Sequence, residues 1–165
     1  MTFKRYILVF LFIAIISVVS NFIARTTTIC SYSLFESSSL FTYFGVLIGF
    51  ALTIYTFGLS MVDGIKQKVD NHLSLTQTQK TEIYQNLVNG FDQIKSNIWF
   101  IFYSILFVIA FSIAKEITNP FGWEIESWKI PETGNLTLFL TTTVAMWDIM
   151  KTLFNLSEIN FELNK

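Results

Sequence analysis

Four apolar runs separated by polar segments organise this chain: Tyr6–Ala24, Phe41–Val62, Ile98–Ile117 and Asn135–Leu156. Each is close to the ~20 residues a helix needs to cross the hydrocarbon core of a bilayer. The stretch between the second and third, Asp63–Asn97, is polar but keeps a helical rhythm. Val62, Ile65, Val69 and His72/Leu73 recur every three or four positions, as do Ile83, Leu87, Phe91, Ile94 and Ile98. Such spacing places each set on one helix face. Ser74 and Thr76 are the candidate N-caps between the two stripes, and Gln79 stands three after Thr76 in capping-box position. The pattern predicts an all-α polytopic membrane protein, a single membrane domain over residues 1–165. It has four transmembrane helices over about 6–24, 41–62, 98–117 and 135–156. A cytoplasmic helical hairpin, the stalk 63–97, extends helices 2 and 3, and its two stripes pack on each other or on neighbouring subunits.

The ends of the runs refine this picture. Residues 24–40 are rich in Ser and Thr and read as a surface loop. Asn119-Pro120 closes the third run, because the residue before proline is driven out of helical geometry. Trp123 and Trp128 follow and suit interfacial anchors. Ser157–Lys165 reads as a short surface helix. The first run, preceded by Lys4 and Arg5, also fits a cleaved signal peptide, although it is long for one.

Composition agrees with a lipid environment: 52% of the 165 residues are hydrophobic and only 14% charged, against about 25% charged in soluble domains. With four spans, Lys4, Arg5, Lys66, Lys68, Lys80, Lys95, Lys151 and Lys165 fall on one side, leaving Arg25, Lys115 and Lys129 on the other. The positive-inside rule then puts both termini and the stalk in the cytoplasm. A net charge of −1 gives no sign of duplex nucleic acid binding.

Candidate chemistry is sparse. One cysteine, Cys30, and one histidine, His72, make neither a disulfide nor a Cys/His zinc site. No nucleophile, phosphate loop or cofactor fingerprint is present, so no catalytic residue, metal or cofactor is expected. Cys30, with only Arg25 as a basic neighbour, reads as a semi-buried small residue. Asp148 and Lys151 interrupt the fourth run and, three apart, share a helix face. Thr141, Ala145, Asp148, Thr152 and Asn155 form a polar or small stripe that suits a pore lining, with Asp148 as a ring of carboxylates in an oligomer. The competing reading ends the span near Trp147 and leaves Asp148 and Lys151 among the headgroups. Gly45, Gly49 and Thr53 form a GxxxG-type row for close helix packing. Asn21 suits an inter-helix hydrogen bond. Lys66, Lys68, His72 and Lys80 form a basic set suited to an anionic ligand or partner, or simply to a solvated face. Glu116, Glu124, Glu126 and Glu132 cluster near the opposite side.

In layout alone, a small multi-span chain with a basic helical hairpin resembles the membrane effectors of bacterial anti-phage systems of the CBASS and Hailong types. The resemblance rests on the stalk lysines Lys66, Lys68 and Lys80 and on the Thr141–Asn155 stripe. It implies a partner protein or anionic nucleotide as the signal and membrane disruption or conduction as the output. The function expected is a homo-oligomeric ion channel or pore gated through the stalk. The alternative is a non-conducting anchor or partner subunit that docks a soluble protein.

Overall fold

The computed structural model describes residues 3–27, 36–71, 75–116 and 130–163. Among them are four helices and no strand: α1 (Phe3–Thr26), α2 (Ser37–Asn71), α3 (Gln77–Glu116) and α4 (Ile130–Glu162). Three of these are long and apolar enough to cross a membrane: α1 over Ile7–Thr26, α2 over Ser38–Asn71 and α3 over Gln77–Ile113. α4 is less apolar, because Thr137, Thr141, Thr142, Thr143, Asp148 and Lys151 dilute its run.

The helices overrun the apolar runs. α2 begins at Ser37, inside the expected loop, and continues without a break to Asn71. Its Leu40 amide donates to the Glu36 carbonyl, closing the first turn. α3 carries both the polar arm and the third apolar run in 40 residues. Its capping box forms: the Thr76 amide donates to Gln79 Oε1 at 2.9 Å and the Gln79 amide to Thr76 Oγ1 at 3.4 Å. α4 starts at Ile130 with Pro131 in its first turn, where no intrahelical N–H is needed. It continues through Glu162, so the expected separate tail helix is its last turns. Cys30, His72, Leu73, Ser74, Asn119, Pro120, Trp123, Trp128, Glu124 and Glu126 lie outside the described residues, as does the side chain of Glu116.

The chain divides into two compact units, and the division falls within α2, α3 and α4. Unit 1 comprises Met1–Val46 and Phe102–Val144. Here Ser20 and Ala24 of α1, Leu40 and Phe44 of α2, Ser104 and Val108 of α3, and Leu136, Thr141 and Thr142 of α4 are buried. Asn21 Nδ2 donates to Thr133 Oγ1 at 3.3 Å, tying α1 to α4. Tyr43 hydrogen-bonds Thr143 at 2.9 Å and packs on Phe139 with ring centroids 5.0 Å apart. Only 11% of the α1 apolar segment is buried, so most of its surface needs an apolar medium.

Unit 2 comprises Leu47–Ile101 and Ala145–Lys165. Its core combines Ala51, Ile54, Val62, Ile65 and Val69 of α2 with Leu87, Ile94 and Ile101 of α3 and Ala145, Met146, Ile149 and Leu156 of α4. The two stripes read between Val62 and Ile98 are therefore the facing sides of a three-helix core. Edge-on stacking of Tyr55 on Phe91, at 5.8 Å, fixes the antiparallel register of α2 and α3.

Gly134 separates two kinds of glycine in this fold. A Cβ built there would stand 2.5 Å from the Phe111 ring, whereas Gly45 and Gly49 have nothing within 4 Å. Gly134→Val is therefore expected to lower stability by about 1–3 kcal/mol through overpacking. Gly49→Ala is expected to leave the folded chain unchanged. Thermal unfolding in detergent, compared between the two variants, checks both.

Candidate functional site

The strongest concentration of polar side chains in unit 2 is a partly open cleft of about 440 Å³ between α3 and α4. Asn86, Asn89 and Gln93 line it from α3, and Asp148, Lys151 and Asn155 from α4. The α3 residues lie at three- and four-residue steps, on one side of a helix whose Leu87 and Ile94 enter the core. Gly90 sits in the cleft wall; a Cβ there would be 3.3 Å from the Thr152 methyl, so α3 and α4 approach closely at this point.

Asp148 is the centre of this arrangement. Its Oδ2 accepts from Gln93 Nε2 at 2.6 Å and from Asn97 Nδ2 at 2.7 Å. Two amides thus satisfy one carboxylate oxygen, while Oδ1 takes no hydrogen bond from any described residue. Asp148 is half-buried and Lys151 is exposed. Although their spacing would let them pair, no ion pair joins them among the described residues.

The predicted stripe is split by burial. Thr141, Ala145 and Thr152 are buried within their own units, and Asp148 and Asn155 remain open to the cleft. Thr141 and Thr152 donate to the carbonyls of Thr137 and Asp148, at 2.8 and 2.9 Å. Gly45, Gly49 and Thr53 are exposed, and the row makes no close packing on the other described helices. The basic set is also divided. Lys68 Nζ donates to Asn160 Oδ1 at 2.7 Å, tying α2 to α4. Lys80 Nζ donates to the Asp70 carbonyl at 2.8 Å, and Tyr84 donates to Asp70 Oδ1 at 2.6 Å. Lys66 stays exposed and His72 lies outside the described residues.

Gln93 and Asn97 had no place among the sequence candidates. Both sit on α3 at four-residue spacing and read as ordinary polar positions until the helix pairing is known. The register carries a second finding. Gly58 approaches Phe91 and Leu153, so the middle of α2 lies beside residues near 91 of α3 and 153 of α4. At that level Leu52, Phe57 and Leu59 of α2 are 47%, 58% and 44% exposed. Asp92, Lys95 and Lys151, on the other two helices, are exposed as well. At that height α2 exposes apolar and hydroxyl side chains and no charge, whereas α3 and α4 expose these three charges beside the apolar Val88, Trp147 and Phe154. Thr53, Thr56 and Ser60 on the apolar side donate to carbonyls of α2 itself, leaving no hydroxyl that needs water.

Accessibility of the cleft is directly measurable. In a Cys30→Ser background, Asn155→Cys and Lys151→Cys are expected to react readily with a water-soluble thiol reagent. Ile149→Cys and Thr152→Cys are expected to react at least about tenfold more slowly, since a buried thiol is inert. Comparable rates at all four positions would mean that the cleft is not the open side of α4.

No protein-family model matches the chain, and no curated protein or solved structure matches it either. The cleft is therefore read from its own chemistry.

Proposed function

We propose that the chain is a homo-oligomeric membrane protein that conducts ions along the α3–α4 cleft. The observation that supports this reading is the charge that α3 and α4 expose at a height where α2 exposes none. A flat bilayer cannot suit Leu52, Phe57 and Leu59 on α2 while suiting Asp92, Lys95 and Lys151 at the same height. A closed ring of copies resolves the conflict. It turns α2 outward to lipid and the charged α3–α4 side inward to a water-filled axis. Asp148 and Asn155 then line the path, and Gly45, Gly49 and Thr53 are free to meet lipid or a neighbouring subunit. α4 is the fourth span in this arrangement, shielded from lipid along its polar side.

Gating belongs to the end of unit 2 where Lys68 holds Asn160 and Lys80 holds the Asp70 carbonyl. An anionic signal from the cytosol that draws either ammonium away loosens the contact of α2 with α4 or α3. A nucleotide, or an acidic face of a regulatory protein, has the required charge, in keeping with the layout shared with defence effectors. The second reading, a non-conducting partner subunit, draws on the burial of Thr141, Ala145 and Thr152, which leaves only part of the expected stripe open.

Particle imaging of the purified protein in nanodiscs, paired with ion flux from liposomes, tests the proposal. A closed ring with the α3–α4 cleft towards its axis is expected, and Asp148→Asn is expected to change the cation-to-anion permeability ratio. A well-behaved monomer or two-fold dimer without flux sinks the conduction reading in favour of the partner subunit.

A further inference from the structure

A water-filled cleft cannot serve every charge that unit 2 exposes. Lys151 lines the cleft, but Asp92 and Lys95 do not. At about 100° per residue, Val88, Asp92, Lys95 and Trp99 share one exposed face of α3. It lies on the side away from Asn86, Gly90, Gln93 and Asn97, which face the cleft and Asp148. On α4, Trp147, Lys151, Phe154 and Glu158 share the exposed face. Asp92 and Lys151 make no ion pair with any described residue. Contacts between α3 and α4 set the relative heights of the two faces. Gly90 lies against Thr152 and Leu156, and Gln93 and Asn97 reach Asp148, so the helices run antiparallel. In that register Lys151 is level with Asp92, Trp147 with Trp99 and Phe154 with Val88, each to within one turn of about 5.4 Å. Rotation about an axis along the helices keeps every residue at its own height. In a closed ring, one side of a copy therefore meets the other side of its neighbour at the same level. The two faces carry opposite charges at one level and large apolar groups beside them. Lys95 is the like charge. It lies about 60° round α3 from Asp92, towards Tyr84 and Phe91, which contact α2, so Asp92 is the charge set further from α2.

We propose that the exposed α3 face of unit 2 docks on the exposed α4 face of a second copy of this chain, with Asp92 opposite Lys151 of the neighbour. The apolar groups around the pair exclude water from it, and the charges fix register more than they add affinity. The contact is heterologous, so each copy keeps one face of each kind for the next, and the cleft between them stays turned to the axis. The proposal rests on the ring in the conduction reading and names the surface that closes it, but it does not require flux.

Disulfide cross-linking of the full chain in membranes tests the contact. In a Cys30→Ser background, Asp92→Cys and Lys151→Cys are expressed singly, together as two chains, and combined in one chain, then oxidised with copper phenanthroline and read on non-reducing gels. Neither single variant is expected to form a disulfide dimer. The co-expressed pair is expected to give dimers, and the combined variant a ladder that stops at the number of copies in the ring. Thr53→Cys, exposed on α2, is expected to give no dimer with Lys151→Cys. Val88→Cys with Phe154→Cys keeps both charges and carries the same comparison if loss of the ion pair weakens assembly. Dimers from Asp92→Cys alone or Lys151→Cys alone mean that like faces meet, which overturns the heterologous contact. Dimers with Thr53→Cys as abundant as those with Asp92→Cys overturn the choice of face. Absence of dimers from both co-expressed pairs overturns the contact; a closed ring imaged in the same preparation then keeps the ring and removes this surface. Cross-links without ion flux leave the contact standing and remove the conduction reading.

Discussion

A helix can stand in an apolar medium only if its polar groups are answered inside the chain, and that constraint shapes most of this molecule. The backbone is satisfied by helix formation. The hydroxyls follow the same rule: Thr42, Thr53, Thr56, Ser60, Ser112, Thr137, Thr142 and Thr143 each donate to a carbonyl three or four residues earlier. Polar groups too large for this solution are answered across helices. Asn21 reaches Thr133, and Asp148 is reached by Gln93 and Asn97. Ser20 Oγ, fully buried without a hydrogen bond among the described residues, is one exception. Where polar groups exceed what the chain can answer, on the cleft side of unit 2, water has to be admitted.

The existence of the helices was legible because their signals are local. Apolar run length, the three-to-four stripe through Val62–Val69 and Ile83–Ile98, and the Thr76–Gln79 cap are all properties of a few adjacent residues. Helix bounds were less legible. Ser37–Leu40 and Ser157–Glu162 are helical although neither composition demands it, since each merely continues a helix already nucleated. That α4 completes the core begun by α2 and α3 was not visible. Ala145 read as part of a pore-lining stripe, and Ile149 and Leu156 as members of an apolar run, until their partners are known.

The site was legible as a residue and not as a place. Asp148 stood out because a charge in an apolar run is rare. Its partners did not, because an amide on a polar helix looks solvated in one dimension. Lys151, the neighbour at helical spacing, was the natural partner by sequence. The two amides stand closer in space, and donate within a half-buried setting where a long exposed lysine gains less from ordering itself. The apolar side of α2 follows from where the hairpin turns. The second run ends at Val62, 14 residues before the Thr76 cap, and the third begins at Ile98, 22 residues after it, so the two polar boundaries stand at different heights when Gly58 and Tyr55 meet Phe91.

The tie between Asp148 and α3 also bears on how such a chain is made. α2 and α3 meet through residues such as Tyr55 and Phe91, near in sequence, and can pair as soon as both have left the ribosome. On α4, Asp148 accepts from Gln93 and Asn97, and the Thr133 hydroxyl accepts from Asn21, 112 positions earlier. α4 follows the other three helices in the chain, so in synthesis order the amides of α3 precede the carboxylate they receive.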